Sequence, residues 1–134
     1  DDAFLLELVK ARRRGVDVRI VIPLASDRGQ LARGNILAAN KMFRNGIRVY
    51  IYPGMSHIKA AIFDGWACLG SANIDQLSLR VNLETNVATS NPEAVEALKQ
   101  QLFAMDFAAS PEMREVFPER WNDYLWEWVG DYFF

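Results

Sequence analysis

The sequence predicts an α/β domain, a sandwich of helices around a mixed sheet, and three observations carry that expectation. Short apolar runs of strand length alternate with amphipathic stretches of helix length along the chain. Asp64-Gly65, a strong turn signal, separates two of those runs, 60–63 and 66–69, so part of the sheet is an antiparallel hairpin. At 134 residues the chain has the size of one domain. Residues 1–134 are therefore read as a single unit able to bury roughly two thirds of its unfolded surface.

Taken in order, Ala3 to Arg14 reads as a helix with Phe4, Leu5, Leu8 and Ala11 inward. Arg12, Arg13 and Arg14 complement its C-terminal dipole, and Gly15 stops it. The arginine run is read as a solvated helix end in preference to a lipid or nucleic-acid patch. Val16 to Ile22 follows as a buried strand. Pro23 to Gly34 lacks periodicity and reads as a loop leaving the C-terminal end of that strand. There Arg28 or Arg33 either approaches a phosphate or belongs to a solvated connection. Ile36 to Arg44 is the next helix, ended by Asn45-Gly46, and Ile47 to Tyr52 the next strand. Beyond the hairpin, Glu84 to Ser90 reads as a strand. Asn91 then caps and Pro92 opens a helix with Val95, Leu98, Leu102 and Met105 inward. Ser110-Pro111 opens a short helical piece, and Pro118 a last helix striped by Trp121, Leu125, Trp128 and Tyr132. That stripe is read as packing against the sheet or a further domain, in preference to an interfacial membrane contact.

Composition narrows the function classes. A net charge of −2 leaves no pervasive positive surface of the kind that non-specific nucleic-acid binders display, so nucleic acid is disfavoured as a partner. One cysteine, Cys68, and one histidine, His57, cannot make a zinc site, and no metal or cofactor is expected. Cys68 reads as a small buried residue rather than a reactive thiol. No apolar stretch approaches the ~20 residues that span a bilayer. The chain opens with Asp1-Asp2 and enters a helix almost at once, and is expected to be cut from a longer polypeptide.

Chemistry concentrates between Ser56 and Asn86. His57 and Lys59 stand two apart on a predicted strand, so both point to one face, a potential nucleophile beside a fixed positive charge. Trp66 to Leu69 returns antiparallel and delivers Gly70-Ser71-Ala72-Asn73 beside them. These four residues read as a tight turn opening a short helix, Ile74 to Arg80, whose free N–H groups receive an anion. The layout predicts a phosphate seat.

His57-x-Lys59-x4-Asp64 followed by Gly70-Ser71-x-Asn73 resembles the signature of the phospholipase D superfamily, whose members cleave or exchange phosphodiesters through a covalent phosphohistidine. Asn73-Ile74-Asp75, Leu77-Ser78-Leu79 and Asn82-Leu83-Glu84-Thr85-Asn86 look like elements of bacterial cardiolipin synthases, and nearly the whole chain resembles their C-terminal half. The resemblance implies a phospholipase D-like α/β/α sandwich, one half of a two-motif arrangement. It implies His57, Lys59, Asp64 and Glu84 as the catalytic set, with Lys59, Ser71 and Asn73 as phosphate-binding groups. His57 is then nucleophile or general acid, and Glu84 the carboxylate that hydrogen-bonds a catalytic histidine and fixes its orientation. Asp64, at the turn, takes a structural role in preference to a chemical one.

The signature departs from the family at one point: six residues usually separate the aspartate from the Gly-Ser, and here five do, Gly65 to Leu69. Losing one residue from a hairpin with an unchanged turn flips one strand's side chains. The expectation is therefore a three-residue loop, Asp64 to Trp66, with Phe63 opposite Ala67, Lys59 facing Ser71 and His57 facing Asn73.

One histidine cannot both attack phosphorus and protonate the leaving oxygen in the same step. The resemblance implies a second copy of the motif, supplied by a missing N-terminal half or by a homodimer mate. The function it implies is phosphatidyl transfer of cardiolipin synthase type, with a phosphatidylglycerol-like phospholipid as substrate and a peripheral place at the bacterial cytoplasmic membrane. A homodimeric phosphodiesterase or nuclease, and a non-catalytic half that docks at a membrane, are the competing readings.

Overall fold

The computed structural model describes residues 2–25, 29–74 and 76–120. Internal contacts fall into two compact units, one formed by residues up to Ser56 and from Ala109 onward, the other by His57–Ala108.

The first unit is a β-α-β core. Helix α1 spans Asp2–Arg13, β1 Arg19–Pro23, α2 Gly29–Arg44 and β2 Arg48–Tyr52. Strands β1 and β2 pair in parallel from Arg19↔Arg48 to Pro23↔Tyr52. Both helices end as the sequence leads one to expect. Gly15 and Gly46 take φ of 93° and 76°, where a side chain would be strained and glycine is not. The amides that follow close Schellman motifs, Val16 N–H to the Ala11 carbonyl at 3.2 Å and Ile47 N–H to the Met42 carbonyl at 3.2 Å. Val9, Ile22, Ala39, Ile47, Val49 and Met113 form the buried core. The start of α2 differs from expectation: helix already covers Gly29 to Gly34, the second half of the stretch read as loop. Arg33 accordingly donates to the Pro118 carbonyl at 3.4 Å from a helix, while Arg28 lies outside the described residues.

The segment after Ser110 is extended, not helical. Ile51 N–H donates to the Pro111 carbonyl at 3.0 Å and Met113 N–H to the Val49 carbonyl at 2.8 Å, around an antiparallel bridge between Tyr50 and Glu112. The reason is the free edge of β2: its N–H and C=O groups need partners, and burying Met113 in the core draws the segment alongside. Two polar clamps hold this segment. Asn40, fully buried in α2, donates to the Phe117 carbonyl at 3.0 Å and to Glu119 Oε1 at 2.6 Å, and accepts from Phe117 N–H at 2.9 Å. At the surface Glu112 accepts two bonds from Arg48, at 2.9 and 2.8 Å, and one from the Tyr50 hydroxyl at 3.1 Å. The last helix was expected from Pro118, but residues 118–120 are not helical, and Trp121, Leu125, Trp128 and Tyr132 lie outside the described residues.

The second unit is a three-stranded antiparallel sheet in the order β3-β4-β5, with β3 at Ala60–Phe63, β4 at Trp66–Gly70 and β5 at Asn86–Thr89. Between β4 and β5 sits α3, Gln76–Arg80. After β5, Asn91 accepts from Ala94 N–H at 3.0 Å and Pro92 opens α4, Pro92–Leu98. A π-helical turn, Lys99–Phe103, leads into α5, Ala104–Ala109. That turn shifts the expected apolar stripe. Val95 is buried and Leu98 and Leu102 are half-buried, but Met105 is 64% exposed and Phe107 takes the inward position instead. A π turn inserts an extra residue, so a stripe extrapolated at 3.6 residues per turn rotates out of phase beyond it.

The clamps make two predictions. Asn40→Ala leaves the half-buried Phe117 amide and carbonyl without the partner they share and is expected to cost about 1–3 kcal/mol of stability, read from urea unfolding. An unchanged midpoint would remove Asn40 as a clamp. The Glu112 carboxyl is held down to about 2, against an ordinary value of 4.5, chiefly by its hydrogen bonds from Arg48. Because folding depresses it, its stabilisation is complete above pH 4.5 and is lost as pH falls from there toward about 2. Glu112→Gln should flatten thermal stability against pH across that window, leaving the smaller acid sensitivity of Asp17, also lowered by its bond from Arg19.

Candidate functional site

Antiparallel pairing brings the chemistry-bearing residues of the second unit to one end of its sheet. Ala60 pairs with Leu69 and Gly70 with Asn86, and Gly70 N–H donates to the Lys59 carbonyl at 3.1 Å, so Lys59, Gly70 and Asn86 form one rung. His57 precedes that rung on the β3 side, Ser71 and Asn73 follow it from β4, and Glu84 precedes it on the β5 side. Asp64 does not join them. It sits in the hairpin turn with φ of 53°, five residues of extended chain from Lys59, or roughly 16 Å at about 3.3 Å per residue. This is the turn position at which a structural role was expected for it in preference to a chemical one, and Asp tolerates the left-handed region that the turn demands.

The expected three-residue loop is also overturned. Phe63 pairs with Trp66, leaving Asp64 and Gly65 as a two-residue turn, the short connection that Asp-Gly favours. The anticipated flip does not bear on His57 and Lys59, because parity holds only within a ladder. Residues 55–59 are not in a strand, and β3 begins at Ala60. The directions of His57 and Lys59 are therefore set by local backbone, contrary to the expectation that a strand carries both. Lys59 Nζ donates to the His57 carbonyl at 2.7 Å, and the imidazole is exposed.

On the other flank Ser71 stitches two segments together. Its N–H donates to the Thr85 carbonyl at 3.0 Å, its Oγ accepts from Thr85 N–H at 3.0 Å and donates to Glu84 Oε2 at 2.5 Å. Ala72 N–H adds a longer bond to Asn86 Oδ1 at 3.4 Å. Among the described residues Glu84 is thus held by Ser71, not by His57. Asn73 is exposed beside this network. The strand expected from Glu84 begins at Asn86, and the helix expected from Ile74 begins at Gln76.

Gly70, the first residue of the Gly-Ser-x-Asn element, is also required by the packing of the two strands. A Cβ there would lie 2.7 Å from Asn86 Cα and closer still to Asn86 Oδ1 and the Thr85 carbonyl. β4 and β5 can approach this tightly only because position 70 has no side chain. Thr85 and Asn86 share in this close approach through their bonds with Ser71 and Ala72. Their signal in the sequence is the polar run 84–86 immediately before an apolar strand. Among the described residues, no group of three or more His, Cys, Asp or Glu is placed to hold a metal ion, and no helix is long and apolar enough to cross a membrane.

Comparison with known proteins agrees with this architecture. The model of a family described as cardiolipin synthase, PLD-like domain, matches residues 1–105. Cardiolipin synthase A of Pseudomonas aeruginosa PAO1 is 37% identical over 119 residues, which are 85% of this chain and 24% of that protein. Cardiolipin synthase B of Escherichia coli K12 is 35% identical over 124 residues, 89% of this chain and 30% of that protein. The chain thus spans less than a third of the length of these relatives. Among solved structures, a phospholipase D family member, Nuc from Salmonella typhimurium, superimposes with a TM-score of 0.68 at 28% identity, over 83% of this chain and 73% of that one. The expected phospholipase D-like α/β fold, with parallel and antiparallel pairing, is thereby shown.

Gly70→Ala is expected to destabilise the chain by about 1–3 kcal/mol. It should also raise the hydrogen-exchange rate of the Ser71 amide, which is bonded across the close approach. Wild-type exchange at Ser71 in the variant would mean that the strands tolerate a Cβ.

Proposed function

Since this chain belongs to the cardiolipin synthase, phospholipase D-like domain family, we propose that it carries one half-site of a phosphatidyltransferase. What supports the reading is that the chain positions of His57, Lys59, Ser71, Asn73 and Glu84 flank one rung at the end of a single antiparallel sheet, in a chain of that family. In the transfer half-reaction the His57 imidazole attacks phosphorus and a P–N bond forms. The bond to the leaving glycerol oxygen breaks with its electron pair, and an acid protonates that oxygen. The hydroxyl of a second lipid then gives its proton to the same group, now a base, and attacks phosphorus. The P–N bond breaks and His57 is restored. Water in place of the lipid gives hydrolysis.

Lys59, Ser71 and Asn73 supply charge and donors to the phosphoryl oxygens, where a preorganised cluster lowers the barrier most. Glu84 orients a catalytic histidine. The acid is a second imidazole, from a second copy of the motif elsewhere in the polypeptide or in another chain. The substrate class is a phosphatidylglycerol-like phospholipid, and the setting is the surface of a bacterial membrane. A second reading, a homodimeric phosphodiesterase, is supported by the likeness of the fold to the phospholipase D family member Nuc, at a TM-score of 0.68.

The test is phosphatidyl transfer and hydrolysis with phosphatidylglycerol vesicles, alongside the solution mass. His57→Asn should lower turnover by about three orders of magnitude. A dimer that cleaves nucleic acid and spares lipid supports the phosphodiesterase. Transfer undiminished by the substitution assigns the chain a docking role.

A further inference from the structure

We propose that the apolar groove along α1 is the docking site of this chain's own C-terminal residues, 121–134, which lay their tryptophan stripe into it. Both partners belong to the first unit.

The groove, of about 300 Å³, is lined by Leu5, Leu6, Val9, Lys10, Arg13 and Asn45. Its floor is apolar. Val9 is buried in the core and Leu5 packs against that core, yet Leu6 stands 52% exposed. Arg12 Nε donates to the Gly46 carbonyl at 2.8 Å, which ties the C-terminal ends of α1 and α2 together and fixes the wall that Asn45 supplies. The border is basic. Lys10 is already paired with Glu7 at 2.7 Å, whereas Arg13 is exposed and makes no ion pair among the described residues. An open apolar floor with a cation at its edge fits an apolar segment that carries acidic groups along one side.

Residues 121–134 have that chemistry. Trp121, Leu125, Trp128 and Tyr132 recur at the spacing of one helical face, and Glu127 and Asp131 fall along one flank of it. The segment holds three acids, Asp123, Glu127 and Asp131, and no lysine or arginine. That charge decides against the other apolar partner open to such a stripe. Segments that lie in a membrane interface carry cations on their polar face, and an anionic bilayer repels carboxylates.

The chain leading into the segment is already held beside the groove. Phe117 packs against the core, and Asn40 bonds both the Phe117 backbone and Glu119. Glu119 also pairs with Arg44 at 2.9 Å. Arg44 is the last residue of α2 and the neighbour of Asn45, so Glu119 stands beside the helix end that borders the groove. Docking withdraws Leu6 and the indoles from water together, and the gain grows with the apolar area removed.

Intrinsic fluorescence of the whole chain tests the docking. Three of the four tryptophans, Trp121, Trp126 and Trp128, lie in the segment, and Trp66→Phe leaves those three as the reporters. Acrylamide should quench them about twofold less steeply in the folded protein than in urea. Leu6→Asp, with the far-ultraviolet spectrum retained, should bring the slope most of the way to the urea value, while Val81→Asp, at an exposed position of the second unit, leaves it unchanged. A slope indifferent to Leu6→Asp, or already at the urea value without it, overturns the docking. So does protection that develops only when phosphatidylglycerol vesicles are added, which gives the stripe to lipid. The unaltered chain supplies a second measurement. Nuclear Overhauser contacts between the Leu6 methyl groups and indole protons are expected in the absence of lipid, and a spectrum without them overturns the docking whatever the variants do.

Discussion

The second unit depends on one close approach, that of Gly70 and Ser71 to Thr85 and Asn86. Position 70 has no side chain because the backbone of β5 fills the space where a Cβ would stand. Ser71 then spends its amide, its hydroxyl proton and a lone pair on Thr85 and Glu84. Closing the loop between them costs conformational entropy that grows only slowly with its length, so a few well-formed bonds hold it. This closure makes a sheet end into a site: without it, Glu84 would belong to a loop unattached to the strand that carries Ser71.

The first unit is held by different means. Its β2 strand needs a partner on each side, and finds β1 on one and residues 111–113 on the other. Asn40 and Glu112 fasten the returning chain by opposite strategies. Asn40 is fully buried, its donors and its acceptor all engaged, which is the condition under which a buried amide stabilises. Glu112 is exposed, and its geometry with Arg48 is bidentate, the arrangement in which a surface ion pair contributes most.

Local chemistry was legible wherever neighbours in the chain decide the structure. Gly15 and Gly46 end helices because only glycine adopts their φ cheaply, Asn91 caps because its carbonyl reaches Ala94, and Asp64-Gly65 turns because Asp tolerates the left-handed region. The readings that failed needed information from afar. Ser110-Pro111 looks like a helix start until the free edge of β2 is known, and Met105 looks inward until the π turn displaces it. Arg33 looks like a loop residue until α2 extends back beneath it.

At the site the division is the same. The sequence alone singled out the candidates for the chemistry, His57, Lys59, Ser71, Asn73 and Glu84, because their types and spacing are properties of the chain. It also determined that an antiparallel hairpin folds at Asp64-Gly65, because that dipeptide favours a tight reversal. Only the tertiary structure decided the register, Phe63 opposite Trp66, and with it that Asp64 stands at the far end of the sheet from the others. Only the tertiary structure, too, gave Glu84 its partner. A carboxylate takes the nearest available donor, and which donor is nearest depends on how closely β4 and β5 approach, a distance set by the missing side chain at Gly70.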